Sequence, residues 1–346
     1  MEKIVVGLSG GVDSFVSALL LQQQGYEVVG VTLAMWGEKE PTDVQELCRK
    51  LGIELVCWDG RGMFREWVVR PFMAGYVSGE TPSPCCVCNR YVKWRLLAEA
   101  ADSLGICRIA TGHYVRIAER DGKYYIRKGI DPAKDQSYFL WGVPQDILCR
   151  AVTPLGGMTK AEVKFYAAAH GYEEMARKPE SMGICFLQGE DYRDFIVKWG
   201  GLPGDVQQPG NIVDAAGKVI GQHAGILNYT IGQKRGMPLV EGHPLYVAEI
   251  DASTNTIRAD VKSGLFRMTL EVDRVNVVRL EDLFAENIEI KIRGLGLNPG
   301  GYIRAEEQAD CSLHIRLSEA AWAVAPGQPV AFYCGDWLLG GGYVKK

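Results

Sequence analysis

The sequence predicts an α/β protein in which a parallel, doubly wound sheet is followed by a small β-rich central module and a C-terminal β-barrel. Two patterns carry this. In the first half, short apolar β-rich runs alternate with helical patterns, as βα units with helices on both faces of a parallel sheet require. After Trp199-Gly200-Gly201 the helical patterns thin out, and short strands punctuated by Gly, Pro, Asn and Asp run to the end. Length and composition agree. A chain of 346 residues suits two or three domains, and its 41 glycines, roughly 12% against a usual ~7%, call for many tight turns.

Lys3–Leu8 is an apolar run short enough for a buried parallel strand. A glycine loop follows and opens a helix through Gln24, with Gly25 placed to close it. Tyr26–Leu33 reads as the second strand; Pro41 suits the first turn of the next helix and Gly52 its end. Glu54–Trp58 is the third strand, Arg90–Leu104 a helix, and Cys107–Thr111 the fourth strand. Tyr114–Lys128 breaks the rhythm as a hairpin turning at Asp121-Gly122. Thr159 and Glu162 make a capping box for a helix that ends at His170-Gly171. The expected domains are residues 1–200 for the α/β part, 201–264 for the central module and 265–346 for the barrel.

No apolar run reaches the ~20 residues that span a bilayer, and Met1-Glu2-Lys3 leads straight into a strand, so a cytosolic protein without a membrane partner is expected. The formal net charge of −4 does not advertise a nucleic-acid ligand, although a local basic stripe can hold phosphates on an acidic protein. Ten cysteines in a long chain without an export signal do not read as a disulfide framework. Cys48, Cys57, Cys107, Cys149, Cys311 and Cys334 are scattered singly and are expected to be small buried hydrophobes. Cys85, Cys86 and Cys88 cluster, and Cys185 sits in a glycine-containing loop far downstream.

The strongest chemical signal is Ser9-Gly10-Gly11-Val12-Asp13-Ser14, directly after the first strand and opening the first helix. Adjacent glycines let backbone N–H groups approach a polyanion, and the helix N-terminus adds a favourable partial charge. The pattern is neither the Rossmann fingerprint nor a Walker loop. Asp13 is odd in a phosphate loop unless it caps the helix or sees a metal. The motif resembles the PP-loop of ATP pyrophosphatases, whose domain is adenine nucleotide alpha hydrolase-like. Pro84-Cys85-Cys86-Val87-Cys88-Asn89, Ala110-Thr111-Gly112-His113-Tyr114, Lys134-Asp135-Gln136-Ser137-Tyr138-Phe139, Ser181-Met182-Gly183-Ile184-Cys185-Phe186 and Tyr229-Thr230-Ile231-Gly232-Gln233 follow in order. Together they resemble the bacterial tRNA-specific 2-thiouridylases, over nearly the whole chain.

That resemblance implies an ATP-dependent transferase that thiolates the wobble uridine in the anticodon arm of tRNA. The C2 oxygen of uridine is a poor leaving group, so transfer of AMP from ATP, with Mg²⁺ and the loop holding pyrophosphate, must precede sulfur attack. Contacts to ATP are implied at Gly7, Leu8, Ser9, Gly10, Gly11, Val12, Asp13, Ser14, Leu33 and Gly112, with Leu33 standing where the family has Met. Cys88, next to Arg90 and Lys93 and expected at a helix start that favours its thiolate, is implied as the catalytic nucleophile. Cys185 is implied as the persulfide carrier, the two forming a transient disulfide, with sulfur supplied by an upstream persulfide donor or relay protein. A structural zinc site and inert thiols are the bland alternatives. An iron–sulfur cluster on Cys85, Cys88 and Cys185 is a sharper one, because the family differs at the position of Cys85; Cys86 has no expected role.

Ser83, Pro84 and Cys85 correspond to the segment that meets the target base, with Ser83 in place of the usual Asn. Contacts to tRNA are implied at His113, Lys134, Asp135, Gln136 and Gln328, and at Arg293-Gly294, where the family's aromatic residue is missing. From Leu265 onward nine Lys/Arg stand against eleven Asp/Glu, so composition shows no basic patch there. The Arg90–Arg95 stretch, with Tyr91 and Trp94 interleaved, is a better basic-aromatic candidate, although Tyr91, Trp94, Leu97 and Ala101 also fit a core-facing helical stripe. Two other classes remain open: an ATP-dependent ligase or amidotransferase acting on a small molecule, and a non-catalytic RNA-binding protein.

Overall fold

Five parallel strands form the sheet that carries the glycine loop: β1 (Lys3–Gly7), β2 (Glu27–Ala34), β3 (Glu54–Asp59), β4 (Arg108–Ala110) and β7 (Ala151–Val152), in the order β3-β2-β1-β4-β7. The computed structural model describes residues 1–37, 42–179, 183–200, 207–240, 242–294 and 296–346. Pro41, expected in a first helical turn, lies outside them, and the helix α2 is described over Thr42–Leu51. β1 is the strand at which the order reverses, with β2 on one side and β4 on the other, so its carboxyl end opens at a topological switch point. β7 was not expected; two residues are too few to leave a periodic signal.

Contacts divide the chain into two units. The first comprises Met1–Val68, Cys85–Met182 and Asp336–Leu339, and the second Val69–Pro84, Gly183–Gly335 and Gly340–Lys346. The expected boundary at residue 201 falls within 201–206, outside the described residues.

In the first unit, Ile4, Val6, Phe15, Val16, Leu21 and Val163 are wholly buried between α1 (Val12–Gln23), the sheet and α8 (Lys160–Ala169). The hairpin of β5 (Val115–Arg120) and β6 (Lys123–Lys128) turns at Asp121 (φ +52°) and Gly122 (φ +70°), the two positive φ values that a tight primed turn demands. The capping box also forms: the Thr159 hydroxyl accepts from the Glu162 N–H at 3.3 Å, and the Glu162 carboxylate accepts from the Thr159 N–H at 2.6 Å. Thr159→Ala is therefore expected to lower unfolding free energy by about 1 kcal/mol, measured by urea denaturation of the whole chain.

In the second unit, β12 (Tyr246–Asp251), β13 (Thr256–Asp260), β8 (Gly210–Val213) and β9 (Val219–His223) form one small sheet in that order. The larger sheet runs β15 (Glu289–Lys291), β18 (Pro329–Cys334), β19 (Trp337–Val344), β14 (Phe266–Val277), β17 (Leu313–Trp322), β16 (Ile303–Glu307). An antiparallel bridge between Ile288 and Ile303 joins its two ends, and the expected barrel closes. Its interior is apolar, with Val272, Ile315, Val330 and Phe332 fully buried.

The expectation of buried lone cysteines is corrected. Cys48 is buried, but Cys57, Cys107, Cys149 and Cys311 are exposed and Cys334 is half-buried. Cys57 lies on the edge strand β3, Cys149 caps a four-residue helix, and Cys311 occupies a turn at φ +61°. Apolar sequence neighbours do not bury a residue that a turn or a sheet edge turns outward. Among the described residues, no helix is long and apolar enough to cross a membrane.

Candidate active site

β1 ends at Gly7, and the chain turns through Gly10 at φ +77° before α1 begins at Val12. That φ favours glycine, whereas Gly11 is extended (φ −93°) and serves as the N-cap without a side chain. The loop is braced internally. The Ser9 N–H donates to the Ser14 hydroxyl at 3.1 Å, which donates in turn to the Gly11 carbonyl at 3.1 Å. Gly112 lies against this turn: a Cβ there would sit 2.9 Å from the Asp13 carbonyl carbon and from the Ser14 nitrogen. Only glycine allows the β4 loop to pass so close to the loop backbone.

These segments enclose a cavity of about 410 Å³, within the usual range for small-molecule sites. Gly7, Leu8, Ser9, Asp13, Ser14, Leu33 and Gly112 line it, joined by Val31, Thr32, Met35, Lys93, Leu97, Thr111, His113 and Gln136. Gly10, Gly11 and Val12 belong to the turn but not to this wall; Gly10 faces a separate cavity shared with Lys178. Seven of the ten expected nucleotide contacts thus meet around one space.

The Asp13 carboxylate is held by two groups that sequence reading passed over. The Lys160 ammonium donates to both its oxygens at 2.7 and 2.8 Å, and the Tyr114 hydroxyl donates to Oδ1 at 2.7 Å. A second lysine, Lys178, donates to the Gly10 carbonyl at 3.0 Å and pairs with Asp43 at 3.3 Å. A signal for Lys160 was present: a cation in a first helical turn opposes the helix dipole and asks for a partner. Asp13 is the carboxylate in the cavity lining, and both its oxygens are engaged by Lys160 and Tyr114 rather than presented to a metal ion.

His113 Nδ1 lies 2.8 Å from the Thr111 hydroxyl, and its ring stacks on Trp94 at 5.5 Å. Burial, reinforced by the Lys93 ammonium, pushes its pKa down from 6.5 to about 3. The ring is neutral at physiological pH, so it can hydrogen-bond an RNA but cannot offer a cation to phosphate. The unfolded chain takes up this proton near pH 6.5 and the folded chain only near 3, so acidification through that window favours unfolding. His113→Asn should remove about one proton from the uptake on unfolding near pH ~5, read from urea midpoints across pH.

The cysteine motif departs from expectation. The helical rise does not start at Arg90: α5 (Pro84–Cys88) leads into a π-helical segment (Asn89–Lys93) and then α6 (Trp94–Ser103). Pro84 takes the first helical position, where its missing N–H costs nothing. Cys88 is therefore one turn inside the helix, where the terminal dipole has largely faded, and the expected support for a thiolate from a helix start is corrected. Cys88 is buried at 7% exposure, Cys85 is exposed, and Cys86 is buried with its thiol donating to the Tyr138 carbonyl at 3.8 Å. The π segment carries the rise from Cys88 to Lys93 on the cavity wall. Trp94, Leu97 and Ala101 are core, whereas Tyr91 is half-exposed, stacked on Trp67 at 5.0 Å with Arg90 over its ring at 5.0 Å.

Cys185 belongs to the second unit and is exposed. It follows Gly183 (φ +90°) and precedes Phe186, which is buried against Phe72 and Phe195 at ring distances of 5.1 and 5.2 Å. An anchored phenylalanine thus fixes one side of an exposed thiol; Ser181 and Met182 of the same motif lie outside the described residues. Among the described residues, no three His, Cys, Asp or Glu side chains are grouped as metal ligands. Cys85 and Cys88, three apart on one helix, belong to the first unit and Cys185 to the second.

Three family models match the chain in succession: a tRNA methyl transferase HUP domain over residues 2–189, a tRNA methyl transferase PRC-barrel domain over 205–259, and an aminomethyltransferase beta-barrel domain over 268–344. The chain is 41% identical to tRNA-specific 2-thiouridylase MnmA 3 of Bacteroides fragilis, covering 100% of this chain and 94% of that one. It is 38% identical to tRNA-specific 2-thiouridylase MnmA of Acidithiobacillus ferrooxidans, over 99% of this chain and 98% of that one. The chain belongs to the tRNA-specific 2-thiouridylase family. Among solved structures, a 4-thiouridine synthetase–RNA complex with bound ATP aligns at a TM-score of 0.39 and 18% identity, over 57% of this chain and 50% of that one, too distant to bear on function.

The residues this 2-thiouridylase-family chain was expected to offer to tRNA are already partly engaged. Asp135 accepts from the Gly129 and Ser137 N–H groups, each at 3.2 Å, and from the Ser137 hydroxyl at 2.8 Å, so it braces its own loop. Gln136 accepts from the Tyr114 N–H at 2.9 Å and lines the cavity; the Lys134 N–H donates to the Asp131 carbonyl at 3.1 Å. The Arg293 guanidinium, beside a half-buried Gly294, donates to the carbonyls of Leu297, Trp322 and Ala323 at 3.1, 2.9 and 2.7 Å. Gln328 accepts from the Ala325 N–H at 3.1 Å within its turn. Ser83 and Pro84 lie in the second unit just before Cys85, Ser83 half-buried and Pro84 buried.

Proposed function

We propose that the chain is an ATP-dependent tRNA uridine 2-sulfurtransferase acting at the wobble position. The observation that carries this reading is the cavity around Ser9–Ser14, closed by Gly112, in a chain of this family. The wobble uridine leaves its stack, and its C2 oxygen attacks the α-phosphorus of ATP, releasing pyrophosphate to the loop. The terminal sulfur of a Cys185 persulfide then attacks C2, and AMP departs with the original oxygen. The Cys88 thiolate attacks the Cys185 sulfur, leaving the thiocarbonyl on the base and a Cys88–Cys185 disulfide, which a cellular thiol must reduce. Residues 1–200 perform this chemistry, and 201–264 and 265–346 seat the anticodon arm through shape and hydrogen bonds. The sulfur comes from a cytoplasmic persulfide donor.

The test is to incubate the purified chain with tRNA, ATP and a persulfide donor and to quantify 2-thiouridine, AMP and pyrophosphate by mass spectrometry. One AMP and one pyrophosphate per thiolated base are expected. AMP release that ignores tRNA, with no thionucleoside, would instead indicate the small-molecule ligase. Iron content measured on anaerobic protein decides the sulfur route: iron-free protein that works with a persulfide retains the relay, and activity that demands iron and sulfide replaces it with a cluster.

A further inference from the structure

Lys160 is a lysine only 8% exposed that no part of the proposed chemistry uses. It occupies the first position of α8, behind the Thr159 cap, where the partial positive charge of the helix end opposes a cation. Its backbone N–H is taken by the Asp131 carboxylate at 2.9 Å, and its ammonium reaches across 147 positions to both oxygens of Asp13. Tyr114, itself buried, adds a hydroxyl to the same carboxylate. An unmatched carboxylate in the second position of α1 would repel the triphosphate that the loop is shaped to accept. The Asp13 side chain is about a third exposed and faces the cavity, so water matches its charge only in part, and the buried Lys160 ammonium supplies a fixed counter-charge.

We propose that Lys160 is a positioning residue of the nucleotide site: it neutralises Asp13 and ties the phosphate loop to the start of α8, so that the loop admits a polyanion. The proposal rests on the reading of Ser9–Ser14 as the ATP site. It makes no claim that Lys160 touches phosphate, and that alternative is separable because it acts without Asp13.

The experiment measures binding of ATP with Mg²⁺ by calorimetry, without tRNA or turnover, on the full chain. Lys160→Met should weaken binding about 10-fold or more, whereas Lys160→Arg, which keeps the charge, should stay within about threefold. In the double variant Asp13→Asn with Lys160→Met the carboxylate is gone, so the Lys160→Met penalty should largely vanish in that background. An unchanged affinity in Lys160→Met, or a penalty in the Asp13→Asn background as large as in the native one, overturns the proposal; the second result assigns Lys160 to the phosphates directly. If Lys160→Met alone does not fold, as circular dichroism will show, Asp13→Asn is compared with the double variant, whose paired neutral side chains remove the buried charge imbalance; equal affinity supports the proposal and weaker binding by the double variant overturns it. Failure of the native chain to bind ATP would sink the nucleotide reading instead.

Discussion

Cys185→Ser is expected to abolish 2-thiouridine formation, by about 10³-fold or more, while tRNA-dependent release of pyrophosphate still occurs. Adenylation needs the loop and the base; only the later sulfur step needs the thiol. A serine hydroxyl cannot carry a persulfide, so the acid-stable product should be absent rather than slowed. The exposed position of Cys185 beside the buried Phe186 makes the substitution structurally mild. Cys88→Ser should give the same loss of product but a different residue of chemistry: sulfur trapped between Cys185 and the base, visible as a protein–tRNA adduct that a thiol reductant cleaves. Mass spectrometry of digested tRNA and non-reducing gels check both. Full thiolation by either variant would end the two-cysteine mechanism, as would loss of pyrophosphate release in parallel with product for Cys185→Ser.

Gly112→Val is expected to disable the nucleotide site, with KM for ATP raised by about 10²-fold. A Cβ at this position meets Asp13 and Ser14 backbone atoms at 2.9 Å, closer than real Cβ atoms approach. The obstacle is main chain at the start of α1, not the flexible tip of a side chain, so the loop itself must move. A displacement of about 1 Å among groups that hold a reacting phosphate is enough to cost 10²-fold. Fold should survive with a loss of about 1–3 kcal/mol, the usual cost of overpacking. ATP titration and thermal melting of the same sample separate the two effects. By contrast Gly7→Ala, whose Cβ would meet Leu97 at an ordinary 3.5 Å, should bind ATP nearly as the native chain does.

Much of the architecture was legible because its causes are local. Alternation, turn chemistry and capping act over a few residues, which is why the hairpin at Asp121-Gly122, the box at Thr159 and the strand-rich second half could be read directly. The cysteine helix was misread at its start because Arg90–Leu104 carries the clear periodicity, while Pro84–Lys93 changes from α to π winding and blurs it. Arg293 shows the limit for binding residues: its sequence position matches an RNA contact, but only folding reveals that its guanidinium is spent on three carbonyls.

By itself the sequence determined the glycine loop that opens the first helix, the order of α/β and β-rich parts, and the two cysteines to which the proposed chemistry is assigned. Tertiary structure alone decided that Asp13 meets a lysine 147 positions away, that Gly112 must lack a side chain, and which scattered cysteines face solvent. The division follows from range: backbone preferences are written in neighbouring residues, whereas charge pairing, close approach and burial depend on which distant segments the strand order brings together.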